Sequence, residues 1–161
     1  MIKRVDTKEL WNWIHNEFPD TCSYSFMIRN EVGISSLLGK TITSITLDDI
    51  NEAMLIECSD GSTFVFYHEQ DCCESVEIDD ICGELEWLIG NPITLAEEIV
   101  QTDRDENNSG AKSTWDGSYT WTFYHLATIK GYVDIRWYGS SNGYYSESVS
   151  FVQIKEATNN D

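Results

Sequence analysis

Basic residues are scarce in this chain: ten Lys and Arg stand against 28 Asp and Glu, for a formal net charge of −18. Eighteen of the acids fall between Asp48 and Glu106, where Arg104 is the sole cation, so this stretch alone carries −17. A field of one sign repels nucleic acid and anionic membranes and attracts basic surfaces. Direct nucleic-acid binding and membrane binding are therefore not expected. A basic protein or a nucleoprotein complex is the expected partner.

Other absences narrow the reading further. No stretch of about 18 apolar residues occurs, and Met1-Ile2-Lys3-Arg4 leads straight into Asp6 without a secretory hydrophobic segment. The cytoplasm is the expected compartment. No P-loop, H-E-x-x-H or G-x-G-x-x-G motif is present, so neither an enzyme nor a cofactor is expected. Cysteines number five, Cys22, Cys58, Cys72, Cys73 and Cys82. An odd count with two adjacent suits free thiols in a reducing compartment better than a disulfide framework.

What is present suits one folded domain. Aromatics make up 12% of the 161 residues, too many for a disordered acidic tail. Asp6 followed by Glu9 resembles a capping box, and Leu10, Ile14 and Phe18 recur at helical spacing, predicting a helix over residues 7–18 ended by Pro19. Weak alternation around Tyr24, Phe26 and Ile28 suggests a strand. The segments 41–47, 53–58 and 63–68 alternate as strands, the last two joined through Asp60-Gly61.

Val76 and Ile78 suggest a brief extended piece, and Ile81, Leu85, Leu88 and Ile89 a short central helix ended by Gly90 and Pro92. Residues 93–101 read as a strand and 102–118 as the longest loop. Strands are then expected over 119–129, 132–138 and 144–154, before a frayed tail ending Asn159-Asn160-Asp161. The sum is an α+β fold: an antiparallel sheet of six to seven strands with an N-terminal helix and a short central helix. The divisions are 1–36 as an N-terminal extension, 37–154 as the acidic α+β domain and 155–161 as a flexible tail.

One segment gathers reactive side chains. His68, Glu69, Asp71, Cys72, Cys73 and Glu74 leave the end of a strand together. Imidazole and thiolate favour zinc, but adjacent cysteines rarely both reach one ion, so no metal is expected. A nucleophilic pairing of Cys72 or Cys73 with His68 or His125, oriented by Asp71, is opposed by neighbouring carboxylates, which raise a thiol's pKa. The plain alternative is a hydrogen-bonded turn with His68, on the alternation of Phe64 and Phe66, partly buried. Asp103-x-Asp105-x-Asn107 faintly resembles a calcium loop, but its glycine, Gly110, comes late and Thr114 replaces the bidentate Glu.

A second segment, Ile135 to Val149, sets aromatics and one Arg around a Gly-Ser-Asn turn. Such composition serves adaptable recognition, and equally serves cross-strand packing in a hairpin. If one face is exposed, Arg136, Trp137, Asn142, Tyr144 and Tyr145 form a partner-binding platform. Surface carboxylates such as Glu69, Glu77, Glu84 and Glu86 would supply the electrostatic half of the same contact.

Four segments in combination resemble a known family: H-x-x-D-C-C-E-x-V at His68–Val76, D-I-x-G-x-L-x-x-L-I-G-x-P-I at Asp80–Ile93, Y-T-W-T-F-Y at Tyr119–Tyr124 and R-W-Y-G-x-S-N-G-Y-Y-S-E-x-V at Arg136–Val149. They are similar to an uncharacterised domain family, without assigned activity, encoded by bacteriophages and other bacterial mobile elements. The resemblance covers roughly residues 37–154, and Cys82 and Glu84 depart from its pattern. It implies a viral or mobile-element protein acting in a bacterial cytoplasm. With the charge, that setting gives the leading expectation: a non-enzymatic inhibitor of a host nucleic-acid-handling defence system, of anti-CRISPR or anti-restriction type, mimicking nucleic acid. A sponge for a nucleotide immune signal, with the aromatic hairpin and the His68–Glu74 turn as pocket walls and Arg136 and Lys130 supplying positive charge if copies assemble, is the second, and a small enzyme or metal module at the His68–Glu74 turn the third.

Overall fold

The computed structural model describes residues 1–19, 30–103 and 117–158. Among them run β1 (Ile2–Val5), α1 (Thr7–Glu17), β2 (Ile42–Asp48), β3 (Ala53–Cys58), β4 (Thr63–Tyr67), β5 (Ser75–Cys82), β6 (Leu95–Thr102), β7 (Ser118–Thr128), β8 (Gly131–Ser141) and β9 (Ser150–Lys155). Short 3-10 turns stand at Ile34–Leu37 and Leu85–Leu88. The strand sketched around Tyr24, the calcium-like residues beyond Asp103, and the last three residues lie outside the described residues, as does most of the 102–118 loop.

The helix begins where Asp6 predicts: its carboxylate accepts the backbone N–H of Lys8 and Glu9 at 3.0 and 3.2 Å. Leu10 and Ile14 face inward and pack on Ala53, Leu55, Val65, Tyr67, Val152 and Ile154. Those residues belong to one face of a five-stranded sheet ordered β1-β2-β3-β4-β9, in which β1 runs parallel to β2 and the other pairs are antiparallel. Its opposite face, with Ile45, Leu47, Met54, Ile56, Phe64 and Phe66, packs on Val76, Ile78, Tyr124, Leu126, Val133, Ile135 and Trp137 of a second, four-stranded antiparallel sheet ordered β5-β8-β7-β6. The layers are thus helix, sheet, sheet.

The single sheet of six to seven strands is corrected to two. β4 shows why: all five of its residues are buried, because Phe64 and Phe66 serve the inter-sheet core while Val65 and Tyr67 serve the helix side. Such a strand needs neighbours on both edges. β9 fills the free edge, giving Phe151 to one core and Val152 and Ile154 to the other. The expected hairpin across 139–143 therefore does not form, and the chain crosses from β8 in one sheet to β9 in the other.

The central helix is corrected as well. Val76 to Cys82 is continuous strand, and helical structure shrinks to Leu85–Leu88. Gly83 separates the two at φ +97°, with its Cα so close to β8 that a Cβ would stand 2.6 Å from the Tyr132 carbonyl oxygen. A continuous helix cannot pass there. The expectation for 93–101 agrees with β6. The N-terminal extension is woven into the fold, since β1 pairs with β2 and α1 covers the five-stranded sheet.

Candidate functional site

The turn from β4 to β5 gathers buried polar side chains beside a cavity. His68 follows directly on β4, and its Nδ1 lies 2.7 Å from the carbonyl oxygen of Ser148. A carbonyl only accepts, so Nδ1 carries the proton. On the other side of the ring, Nε2 stands 3.7 Å from Oε1 of Glu74, with the two side chains 5% and 0% exposed. Glu74 Oε1 in turn accepts the backbone N–H of Asp71 and Cys72 at 2.8 and 3.0 Å. Gln70 Nε2 donates to the carbonyls of Cys72 and Glu74 at 3.1 and 2.7 Å.

Burial alone would raise the Glu74 pKa, but the two N–H donors and His68 outweigh it and hold the carboxyl below its ordinary value. Two atoms remain unsatisfied: His68 Nε2 and Glu74 Oε2 have no hydrogen-bond partner among the described residues. Both residues line a cavity of about 420 Å³ together with Trp11, Glu52, Tyr67 and Glu69. Trp11 meets Tyr67 edge-on with ring centroids 5.3 Å apart. Glu52 has its pKa raised, by desolvation first and then by Asp48 and Glu77. A second cavity of about 430 Å³ lies on the Ser148 side of the same turn, between Glu31, Asp71 and Ser146.

The cysteines depart from the free-thiol expectation. Cys72 and Cys73 are disulfide-bonded to each other, whereas Cys58 is buried and free and Cys82 exposed and free. Pairing between neighbours in sequence needs no distant partner, so the framework logic that argued against a disulfide does not govern it. Neither bonded sulfur is a thiolate available as nucleophile or ligand. Among the described residues no three His, Cys, Asp or Glu side chains stand close enough to hold a metal ion.

β5 leaves this turn as the edge of the four-stranded sheet. Glu77 and Asp80 on it are exposed, as are Glu69 and Asp71 before it and Glu84 and Glu86 after it. Most carboxylates singled out from the sequence thus follow one edge. They are not uniformly unopposed: Lys3 and Arg4 share a shallow groove with Glu84 and Glu86, and Asp79 accepts from Arg136 Nη2 at 2.6 Å.

The aromatic platform is taken apart by the fold. Trp137, 1% exposed, lies between the sheets, on the inward alternation of Val133 and Ile135. Arg136 points outward, its guanidinium 4.9 Å from the Trp121 ring. Asn142, Tyr144 and Tyr145 sit in the crossover, where Asn142 Oδ1 accepts the Tyr144 N–H at 3.0 Å and the two tyrosine rings meet edge-on. Tyr144 is 84% exposed.

Sequence reasoning missed three things. Nothing in sequence spacing brings Trp11 and Glu52 to the His68–Glu74 turn. Glu147, 8% exposed, anchors the crossover by accepting from Thr120 Oγ1 at 2.8 Å and from Ser141 Oγ. Gly139-Ser140-Ser141-Asn142-Gly143 also spells G-x-S-x-G. The context does not fit a nucleophile elbow, since Ser141 ends a strand, no helix follows among the described residues and its hydroxyl is held by Glu147.

Among the described residues, no helix is long and apolar enough to cross a membrane. No curated protein and no solved structure matches the chain. A family model described as a domain of unknown function, DUF7448, matches residues 35–151, which takes in β2 to β8, the start of β9 and the whole His68–Glu74 turn, and the chain belongs to that family.

Proposed function

We propose that this protein is a non-enzymatic binding protein that docks on a basic surface of a nucleic-acid-handling protein and inhibits it by presenting carboxylates where phosphates would bind. The observation that carries the reading is the acidic edge along β5, where Glu69, Asp71, Glu77, Asp80, Glu84 and Glu86 are all exposed. Carboxylates spread along one edge compete for a channel built to receive a charged backbone. The resemblance to mobile-element proteins supplies the concrete form: a phage or mobile-element protein acting in a bacterial cytoplasm against CRISPR or restriction machinery. A sponge for a nucleotide signal is disfavoured, because Glu52, Glu69 and Glu74 around the His68 cavity repel phosphate.

The test is capture from a defence-proficient bacterial lysate at graded salt, with wild-type protein and with Glu69, Glu77, Glu84 and Glu86 changed to Gln. Exposed charges are screened beyond about 8–10 Å at physiological ionic strength. A nucleic-acid-handling protein that is retained by the wild type, released by salt or competing DNA, and lost from the Gln variant supports the reading. Retention that ignores salt and the four substitutions sinks it.

A further inference from the structure

We propose that the cavity between α1 and the His68–Glu74 turn is a socket for a guanidinium group, the side chain of an arginine on the protein partner. This rests on the reading of a basic partner and adds where that partner is anchored.

One ring nitrogen and one carboxylate oxygen are buried without partners among the described residues. Nδ1 of His68 donates to the Ser148 carbonyl, which leaves Nε2 as the ring's second polar atom. It faces the Glu74 carboxylate at 3.7 Å, beyond hydrogen-bond reach. Glu74 Oε2 also lacks a partner among the described residues. A buried acceptor without a donor is costly, and a carboxylate more so. Oε2 therefore calls for a ligand that donates hydrogen bonds, and the surroundings choose its charge. Glu52 and Glu69 line the same cavity, and Asp48 and Glu77 add, after burial, to the raised pKa of Glu52.

Part of the cavity wall is aromatic. Trp11 lines the cavity and is braced by Tyr67. A planar guanidinium stacks on an indole face while its fork of N–H groups reaches carboxylates, a combination that an ammonium matches poorly. A calcium ion fits less well, because it takes six to eight oxygen ligands and the cavity gathers three carboxylates. Trp11 comes from α1, outside the family match at residues 35–151. The socket is thus assembled from the family domain and this chain's own helix.

The experiment is an NMR titration of the full chain, following the Trp11 indole and His68 ring signals. Blocked arginine amide, blocked lysine amide, blocked citrulline amide, free arginine and an arginine-containing peptide serve as probes. Saturable shifts are expected with the blocked arginine and the peptide, with citrulline about ten-fold weaker or worse, since it lacks the charge that strengthens these hydrogen bonds. Glu52→Gln, at an exposed position, should weaken arginine binding while leaving the melting temperature unchanged, and Glu74→Gln keeps an acceptor for the turn.

Equal binding of citrulline, or no saturable shift into the millimolar range, overturns the socket. Binding of free arginine without the peptide overturns the protein-partner form. If captured partner is still released by salt and the surface Gln variant but ignores Glu52→Gln and blocked arginine, the socket fails while the acidic-edge reading stands. If arginine binds and no basic partner is ever captured, the failure lies with that reading instead.

Discussion

Arg136 and Trp137 are neighbours in sequence and stand on opposite faces of the four-stranded sheet: the guanidinium lies 4.9 Å from the Trp121 ring on the outer face, while the indole is buried between the sheets. Strand alternation imposes this separation on any adjacent pair. A recognition surface cannot use both. Trp137→Ala should therefore cost about 3–5 kcal/mol of folding stability, as large-to-small core changes do. Tyr144→Ala, at an 84% exposed position, should stay within about 0.5 kcal/mol of wild type. Chemical denaturation of the two variants checks the contrast, and equal costs would contradict the packing described.

Asp60 sets a limit in acid. Burial would raise its pKa, but hydrogen bonds from Lys40, at 2.6 Å, and from Ser62 dominate and hold it at about 2, against an ordinary 3.8. A carboxyl depressed in the folded state contributes stability that is complete above its unfolded pKa and lost as pH falls through the folded one. The contribution of this turn should thus fade between about pH 4 and pH 2. Asp60→Asn should flatten that part of a melting-temperature profile and lower stability at neutral pH. An unchanged acid profile in the variant would refute the assignment.

Much of the local structure was legible in the sequence because short-range chemistry writes it. The Asp6 cap, the Asp60-Gly61 turn and the strand runs of β2, β3 and β4 each depend on residues a few positions apart. What was not legible depends on pairing partners. The Gly-Ser-Asn run after β8 reads as a hairpin turn wherever its strands lie, and only the free edge of β4 sends β9 to the other sheet. Gly83 reads as tolerable in a helix until Tyr132 packs against it. The candidate site divides in the same way. The His68–Glu74 contact falls within one turn and was visible as a cluster, whereas Trp11 and Glu52 arrive from separate elements.

The cysteines offer a chemical check on the same turn. Cys82 is exposed, whereas Cys58 is buried, with burial the main cause of a thiol pKa pushed up to about 11. Thiolate fraction and access both control alkylation. In a Cys22→Ser background without reductant, one modification, at Cys82, is expected by peptide mass spectrometry, slowed by the hydrogen bond to Asp80 that raises this thiol's pKa. Cys58 should react only on unfolding, and Cys72 and Cys73 only after a reductant is added. Rapid labelling of Cys72 or Cys73 in unreduced protein would contradict the bond between them.

Glu74 should be the most consequential carboxylate of the turn for stability, for reasons separate from any ligand. Its side chain is fully buried, and its Oε1 is the acceptor for the backbone N–H groups of Asp71 and Cys72. Glu74→Ala leaves both donors without that acceptor and should cost about 1–3 kcal/mol. Glu74→Gln retains an acceptor oxygen and removes the charge, so it should cost less than the alanine change. Its folded pKa is depressed, so stability held by the wild-type carboxylate is present above the ordinary carboxylate range and disappears as acid protonates it. The Gln variant should therefore converge on the wild type as pH falls, while the Ala variant stays below both. Melting curves of the three proteins from neutral to acidic pH separate these outcomes, and a Gln variant as unstable as Ala at neutral pH would place the stabilisation in the charge rather than in the hydrogen bonds.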